Sequence, residues 1–409
     1  MTAYTPAYIV TRNGVDLIDA TIDTVVINHG RQDVQDQPYP ASMNLRCYSN
    51  TGTNLNFKLN DEIQFFIDDI RQFVGYITDV QISITAGQNN RNIAYYELTL
   101  AGPLAFLSRT SAANTPLPVQ GDATRIGQLI YRAFSLIWDE LGLIRWKNYP
   151  RTFQWQDFLP DYPFATTPSI SGSDIYDLSA LSATNTDTLT LCQNAAQSAR
   201  GILYDSRDGQ ITYDNYTERL NPTLEITVDS DMVLTESVVS SMSSGDLVNV
   251  AYVEYTGGSA KSSGQYSVET YGPRVATKTT ELHLFADAKR QAQDYVQARS
   301  VPNYRISSFT VPLHLDQLTA EMRGDLLSLS LNTAITWPAN LLPKPLNVGT
   351  ESINYVEGWE LRADRNTIFL TINQSPRSMT YGHVMWLELE TDTPLTWATY
   401  PSTTKWKDA

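Results

Sequence analysis

Gln72-Phe73-Val74-Gly75-Tyr76-Ile77-Thr78-Asp79-Val80 near the start of the chain and Tyr355-Val356-Glu357-Gly358-Trp359-Glu360-Leu361 near its end are the stretches whose reading decides the fold. In the first, Val74, Tyr76, Thr78, Val80, Ile82 and Ile84 fall on one face for eleven residues. A period of two that long predicts a half-buried antiparallel strand. Each stretch carries a strand glycine, Gly75 or Gly358, of the kind that marks a bulge or a close backbone approach. Each is preceded by an acidic residue expected to open a strand: Asp61 in Asp61-Glu62-Ile63-Gln64-Phe65, and Asp325 in Gly324-Asp325-Leu326-Leu327-Ser328-Leu329. Each is followed by one more strand, Tyr96-Glu97-Leu98-Thr99-Leu100 or Ile368-Phe369-Leu370-Thr371-Ile372. The order recurs although the spacing differs, 14 residues from Asp61 to Gly75 and 33 from Asp325 to Gly358. The recurrence reads as two related β modules; the alternative is two antiparallel meanders that share such features without kinship.

Outward from the first stretch, Met43, Leu45 and Cys47 alternate with Asn44 and Arg46, and the turn Gly87-Gln88-Asn89-Asn90 leads into Ala94, Tyr96, Leu98 and Leu100 on one face. This predicts a long hairpin. Ser108 to Pro118 has no apolar period and two prolines, which places a domain boundary near residue 110. The period then becomes helical, with Ile126, Leu129, Ile130, Phe134, Ile137 and Leu141 behind Asp122 as N-cap. A second helix is predicted from Asp187 to Arg200, with Leu189, Cys192 and Ala196 inward and Gly201 as its stop. Asp208-Gly209 between two alternating runs signals a hairpin. Val248 to Tyr255 reads as a strand, Gly257 to Gln265 as a loop, and Leu284 to Arg299 as a helix presenting Phe285, Ala288, Ala292, Tyr295 and Val296 to the core. Phe309, Val311, Leu313 and Leu315 resume the strand alternation. The fold class is therefore mainly β with an α/β insertion, divided as 1–110, 111–235, 236–375 and a Trp-rich segment 376–409.

The 409 residues are 42% apolar and 18% charged, with 23 tyrosines, which suits packed β structure and excludes wholesale disorder. A formal charge of −15 argues against tight, unspecific phosphate binding. Cys47 and Cys192 have no partner at ligand spacing and read as small buried hydrophobes. The N-terminus has neither a basic start nor an apolar run, and no stretch reaches the ~18 apolar residues of a membrane span, so the expectation is a soluble protein made in the cytosol.

His29, His283, His314 and His383 are scattered, and no P-loop, Gly-x-Gly-x-x-Gly, Gly-x-Ser-x-Gly or zinc-ligand spacing occurs. Asp68-Asp69 and the acidic residues from Asp157 to Asp161 read as solvated turns, or at best an incidental calcium site, rather than catalytic dyads. Between Trp146 and Tyr176 aromatic residues alternate with Pro and Asp. The stretch reads as a long loop anchored by buried rings, with a ligand-stacking platform of Trp146, Trp155 and Tyr162 as the alternative. No catalytic, metal or cofactor site is expected, and a long acidic β protein without one reads as an assembly or recognition protein.

In order along the chain, the sequence resembles the hub or minor tail proteins at the tip of bacteriophage tails, relatives of the baseplate hub. Thr11-Arg12-Asn13-Gly14 to Val26, Gly30-Arg31-Gln32-Asp33-Val34 and Gln37 to Leu45 resemble the family's first strands, as does Gln72 to Val80. Ala101-Gly102-Pro103-Leu104-Ala105-Phe106-Leu107 is similar to the exit from its first module. The Cys192 helix, Gly201-Ile202-Leu203-Tyr204-Asp205 and Asp208-Gly209 resemble its middle region, and Tyr381-Gly382-His383 through Trp397 to Trp406-Lys407-Asp408-Ala409 its end. The Trp146 to Tyr176 stretch has no counterpart.

The resemblance implies two tail-tube-like β-barrel modules per chain and a homotrimer that presents six barrels and continues a sixfold tube. It also implies a place in the virion at the tail tip after assembly in the host cytoplasm. Its implied partners are the distal tail ring, the tape-measure protein and other tail-tip or receptor-binding proteins, with DNA only in transit. Two rival readings are a carbohydrate-binding receptor-recognition protein and a cell-wall hydrolase with an acidic dyad.

Overall fold

The computed structural model describes the chain apart from residues 1–3, 50, 53, 87–91, 113–115, 141–168, 171–172, 219–221, 230–231, 235–236, 303–304, 339–352, 378 and 380–409. The chain is mainly β. Among the described residues its principal sheet has 13 strands, and twelve of them fall into two sets of six. The first set is β1 (Tyr8–Arg12), β2 (Ala20–Gly30), β3 (Tyr39–Ser49), β4 (Glu62–Ile67), β5 (Ile70–Ala86) and β6 (Asn92–Ala101). A middle hairpin, β7 (Ile202–Asp205) and β8 (Ile211–Asp214), follows.

The second set begins with β9 (Leu224–Thr227) and β10 (Val239–Ser241), before an inserted three-stranded sheet of β11 (Val250–Tyr255), β12 (Gly258–Ser263) and β13 (Val275–Thr279). It resumes with β14 (Arg305–Pro312), β15 (Thr333–Thr336), β16 (Ile353–Asp364) and β17 (Ile368–Pro376). The second module thus recruits β9 from before residue 236.

The two sets have the same strand order. Spatial order in the first is β2-β3-β6-β5-β4-β1, and in the second β10-β14-β17-β16-β15-β9. Taken in chain order, first strand matches first and sixth matches sixth. They differ in strand direction at one pair, since β1 runs antiparallel to β4 whereas β9 runs parallel to β15. The modules join edge to edge, because β16 also pairs antiparallel with β2, Gly358 opposite Gly30 through Asp364 opposite Thr24. One apolar core spans both, with Ile27, Leu45, Phe65 and Leu100 from the first and Phe309, Val356, Leu361 and Ile372 from the second.

A β-bulge aligns the two long strands. β5 slips register against β6 between Ile77 and Asp79, and β16 slips against β17 between Val356 and Gly358. Matching Thr78 to Glu357 makes Ile77, Val80, Ile82 and Ile84 equivalent to Val356, Trp359, Leu361 and Ala363, and their partners Leu98 and Tyr96 equivalent to Ile372 and Leu370. The bulge also corrects the single face expected for Val74 to Ile84. Phe73 and Ile77 line the core before the extra residue and Val80 after it, while Val74 lies against the turn at Gly209. One inserted residue turns every later side chain to the opposite face.

Helices, the small hairpin and the inserted sheet form a second core. Ile126, Leu129 and Ile130 of α1 (Asp122–Glu140) pack with Cys192, Ala195 and Ala196 of α2 (Thr188–Ser198), and with Ala288 and Ala292 of α3 (Phe285–Arg299). Asp187 caps α2 by accepting from Thr190 N at 2.8 Å, but the residue in the left-handed conformation after it is Arg200 (φ 59°), not Gly201. Asp122 does not cap α1. Its carboxylate accepts from the amides of Ile175 and Tyr176 and the hydroxyl of Tyr213, and Asp174 takes the capping role toward Thr124 N at 2.8 Å.

Gly258–Ser263, expected as a loop, is strand β12, held by its ladder to β11 and by the buried Ala260. Phe285 is half exposed, its ring against Tyr255. Asp325, expected to open a strand, sits inside α4 (Ala320–Leu327). Thr319 caps that helix on Met322 N, and Leu326 and Leu327 enter the core from it, so the apolar pair that suggested a strand belongs to a helix.

Candidate assembly interface

The two long strands meet the rest of the molecule in different ways, and the difference identifies the candidate site. At the β2–β16 junction the backbones approach so closely that a Cβ on Gly30 would stand 2.6 Å from the Gly358 Cα, and one on Gly358 would stand 2.6 Å from the carbonyls of His29 and Arg31. Gly30 has φ +80°, which side-chain-bearing residues rarely adopt. Glycine on both strands lets them close.

Beside that contact Arg31 Nε donates to Glu357 Oε2 at 2.7 Å, with side chains only 5% and 1% exposed. Ser375 Oγ donates to the other Glu357 oxygen, and Arg31 Nη1 donates to the Asp36 carbonyl at 2.6 Å. His29 stacks on Trp359 with ring centroids 4.8 Å apart, and its Nε2 meets the Gln72 carbonyl at 3.0 Å. Burial pushes the His29 imidazole down to about 4, so it is neutral at physiological pH.

The middle hairpin wedges into the same place. Asp205 accepts from Ala41 N at 2.9 Å and Leu104 N at 2.7 Å, tying β7 to the first module. Burial pushes its carboxyl up to about 7, against the pull of those two donors. Arg207 reaches the carbonyls of Arg71 and Leu327, one from each module. A cavity of about 130 Å³ opens nearby, lined by Arg31, Gln35, Arg200, Lys278, Tyr295 and Arg299. Glu357 and Asp294 neutralise two of those cations.

Of the positions singled out in the sequence, Gly358 lies at the heart of this junction. Gly75 faces Ile63 on β4, where a Cβ would stand 2.6 Å from the Ala101 carbonyl. The two glycines are therefore not structural equivalents, since the bulge matches Gly358 to Asp79. Asp61 holds the turn into β4, accepting from Lys58 N at 2.9 Å and Asn13 Nδ2 at 3.1 Å. Asp68 and Asp69 form the two-residue β4–β5 turn, both at positive φ. Trp146, Trp155 and Tyr162 lie outside the described residues, as do the Gly87–Asn90 turn and the C-terminal Trp-rich segment; Tyr176 is buried. The sequence reading quotes Gly30, Arg31, His29 and Glu357 but gives none of them a role at a junction; their signal is a glycine-arginine pair ending one strand and an acid in the apolar middle of another.

Among the described residues, the β5 strand presents the twin of this junction without a strand partner. Between Asp79 and Thr85 it pairs only with β6, and among the described residues no strand occupies its other edge. Ile82 and Ile84 are 58% and 69% exposed, whereas their equivalents Leu361 and Ala363 are buried at 1% and 3%. Among the described residues, no helix is long and apolar enough to cross a membrane.

No protein-family model matches the sequence. No curated protein matches it either. Solved structures do match. The chain is similar to the 43 kDa tail protein of prophage MuSo2 from Shewanella oneidensis, with a TM-score of 0.58 at 11% identity, covering 91% of this chain and 98% of that one. It is similar to a tail protein from Neisseria meningitidis MC58, with a TM-score of 0.59 at 11% identity, covering 92% and 98%. It is also similar to the prophage tail protein gp18 from Listeria monocytogenes EGD-e, with a TM-score of 0.52 at 10% identity, covering 91% and 95%. The chain thus shares its fold with solved phage tail proteins.

Proposed function

We propose that the protein is the hub at the distal end of a phage tail, a structural component that continues the tail tube and holds the conduit through which DNA leaves. The observation that carries this reading is the duplication: one chain supplies two six-stranded modules of identical strand order, joined edge to edge. A trimer of such chains presents six modules, which matches a threefold hub to a sixfold tube. In this reading the modules are bounded as residues 1–110 and, with β9 added, 224–376, and the elements between them form the outer, inserted domain.

The work is mechanical rather than catalytic. The hub binds the distal tail ring and the tape-measure protein on one side and tip or receptor-binding proteins on the other, in virions assembled in the host cytoplasm. The acidic balance of −15 suits a lumen that repels phosphates and lets DNA pass without sticking. Light scattering and particle averaging of the purified protein test the proposal. A threefold ring with a central opening and six similar lobes is expected; a stable monomer refutes it, and a ring whose lumen is neutral or basic refutes the acidic-conduit part.

A further inference from the structure

We infer that the free edge of β5, from Asp79 to Thr85, pairs antiparallel with the free edge of β10 in a second copy of the chain, repeating between chains the β16–β2 junction that each chain makes within itself. The inference rests on the hub reading and deepens it by assigning the strands that join subunits. Three observations carry it.

First, β16 and β5 are equivalent strands, aligned by their bulges, and so are β2 and β10, each the outermost strand of its module on the same side. Within the chain β16 is paired by β2, while the matching edge of β5 and the outer edge of β10 have no strand partner among the described residues. Second, the apolar residues that the internal junction covers in one module are bare in the other, Ile82 and Ile84 against Leu361 and Ala363. An apolar strand edge left open is a template for pairing with another chain. Third, the β10 side offers matching chemistry, because Met242 and Leu234 next to it are 49% and 44% exposed.

The internal register fixes the expected one. Glu360 stands opposite Asn28 in the β16–β2 pair. Its equivalent in β5 is Gln81. The equivalent of Asn28 in β10 is Ser240, by way of the pairs Asn28–Ser42 and Ser240–Ile306. Gln81 of one copy therefore faces Ser240 of the next. A contact between two different edges is head-to-tail, and it closes into a ring when its rotation divides the circle. Each chain contributes two modules, so a closed ring alternates internal and between-chain junctions.

Two measurements on the full chain test the pairing. Ile82→Glu/Ile84→Glu alters exposed side chains only, so the circular dichroism of the parent is expected to persist while self-association weakens by at least about tenfold. Gln81→Cys and Ser240→Cys chains, mixed and oxidised, are expected to yield a covalent heterodimer that neither gives alone; the buried Cys47 and Cys192 do not compete. A ring that survives Ile82→Glu/Ile84→Glu and gives no such crosslink overturns the pairing and leaves the hub reading intact. A parent protein that stays monomeric at high concentration overturns both.

Discussion

Replacing Glu357 with Gln keeps the shape of the side chain and removes its charge, at a position where little else changes. The Glu357 and Arg31 side chains are 1% and 5% exposed, with Nε and Oε2 2.7 Å apart. At that separation opposite unit charges attract by roughly 6 kcal/mol for an effective dielectric of ~20. Removing both ions from water costs several kcal/mol each, so the intact pair is close to neutral in its net effect. Deleting one charge removes the attraction and leaves the other desolvated, which costs ~3–5 kcal/mol. Glu357→Gln and Arg31→Met are therefore each expected to lose about that much. Arg31→Met/Glu357→Gln is expected to lose far less than their sum, with a coupling energy above ~2 kcal/mol. Urea unfolding followed by far-ultraviolet circular dichroism reads all four proteins. If Glu357→Gln costs under ~1 kcal/mol, or the two changes add, then the junction is not held by a desolvated ion pair and the argument fails.

Other outcomes follow from the same surroundings. His29 is depressed to about 4 from 6.5, so the stability it contributes is complete above pH 6.5 and is lost as pH falls toward 4, by roughly 3 kcal/mol in all. Asp205, raised to about 7 from 3.8, acts in the opposite sense, its fold favoured at low pH and weakened as pH rises to 7. His29→Gln keeps a donor toward the Gln72 carbonyl, and the difference between its pH-stability curve and the parent's isolates the histidine; parallel curves from pH 4 to 6.5 refute the assignment. Gly30→Ala combines a positive φ with a Cβ 2.6 Å from the Gly358 Cα and is expected to cost ~2–5 kcal/mol, whereas Gly14→Ala, at φ +76° with open space around it, is expected to cost only ~1–2 kcal/mol. Burial pushes the Cys47 thiol up to about 12 and raises Cys192 further, so a thiol reagent is expected to label neither until urea unfolds the protein.

The sequence carried what is local. Alternation located β3, β6 and β14 because each buries one face, and Asp208-Gly209 located the β7–β8 turn because Gly209 takes φ +74°. The duplication was visible as order, although the glycines that suggested it are offset. What failed is set by tertiary context. The bulge at Thr78 leaves no mark in a run of alternating apolar residues, yet it turns the far half of β5 around. Asp122 had the look of a cap, but buried donors from Ile175 and Tyr176 claim its carboxylate. Gly258–Ser263 has poor strand propensity and is extended because β11 supplies its ladder. Arg31 and Glu357 meet across 326 residues, and no local pattern announces that a charge in an apolar strand has a partner so distant.

The two junctions also differ in a way that suits their different histories. At the internal one Glu357 meets Arg31 in a dry site, an arrangement safe only where the strands come together once, as the chain folds, and stay together. In the between-chain pairing the bulge places Thr78 where Glu357 stands, and the register set by Gln81 and Ser240 places Ser243 where Arg31 stands. The uncharged hydroxyls at those positions already have partners within the chain, Thr78 Oγ1 donating to the Thr99 carbonyl and Ser243 Oγ accepting from Gly245 N, and lose little when covered, whereas an arginine and a glutamate would each have to shed water at every association. Apolar Ile82 and Ile84 then supply the drive, at roughly 1.5–3 kcal/mol for each side chain fully covered. A chain built this way keeps its own halves together once folded and leaves assembly to an edge whose strength depends on apolar area. Introducing Thr78→Glu without a matching cation is accordingly expected to leave the monomer folded and to block assembly, a separation that light scattering beside circular dichroism reads directly; a variant that still assembles like the parent would place Thr78 outside the contact.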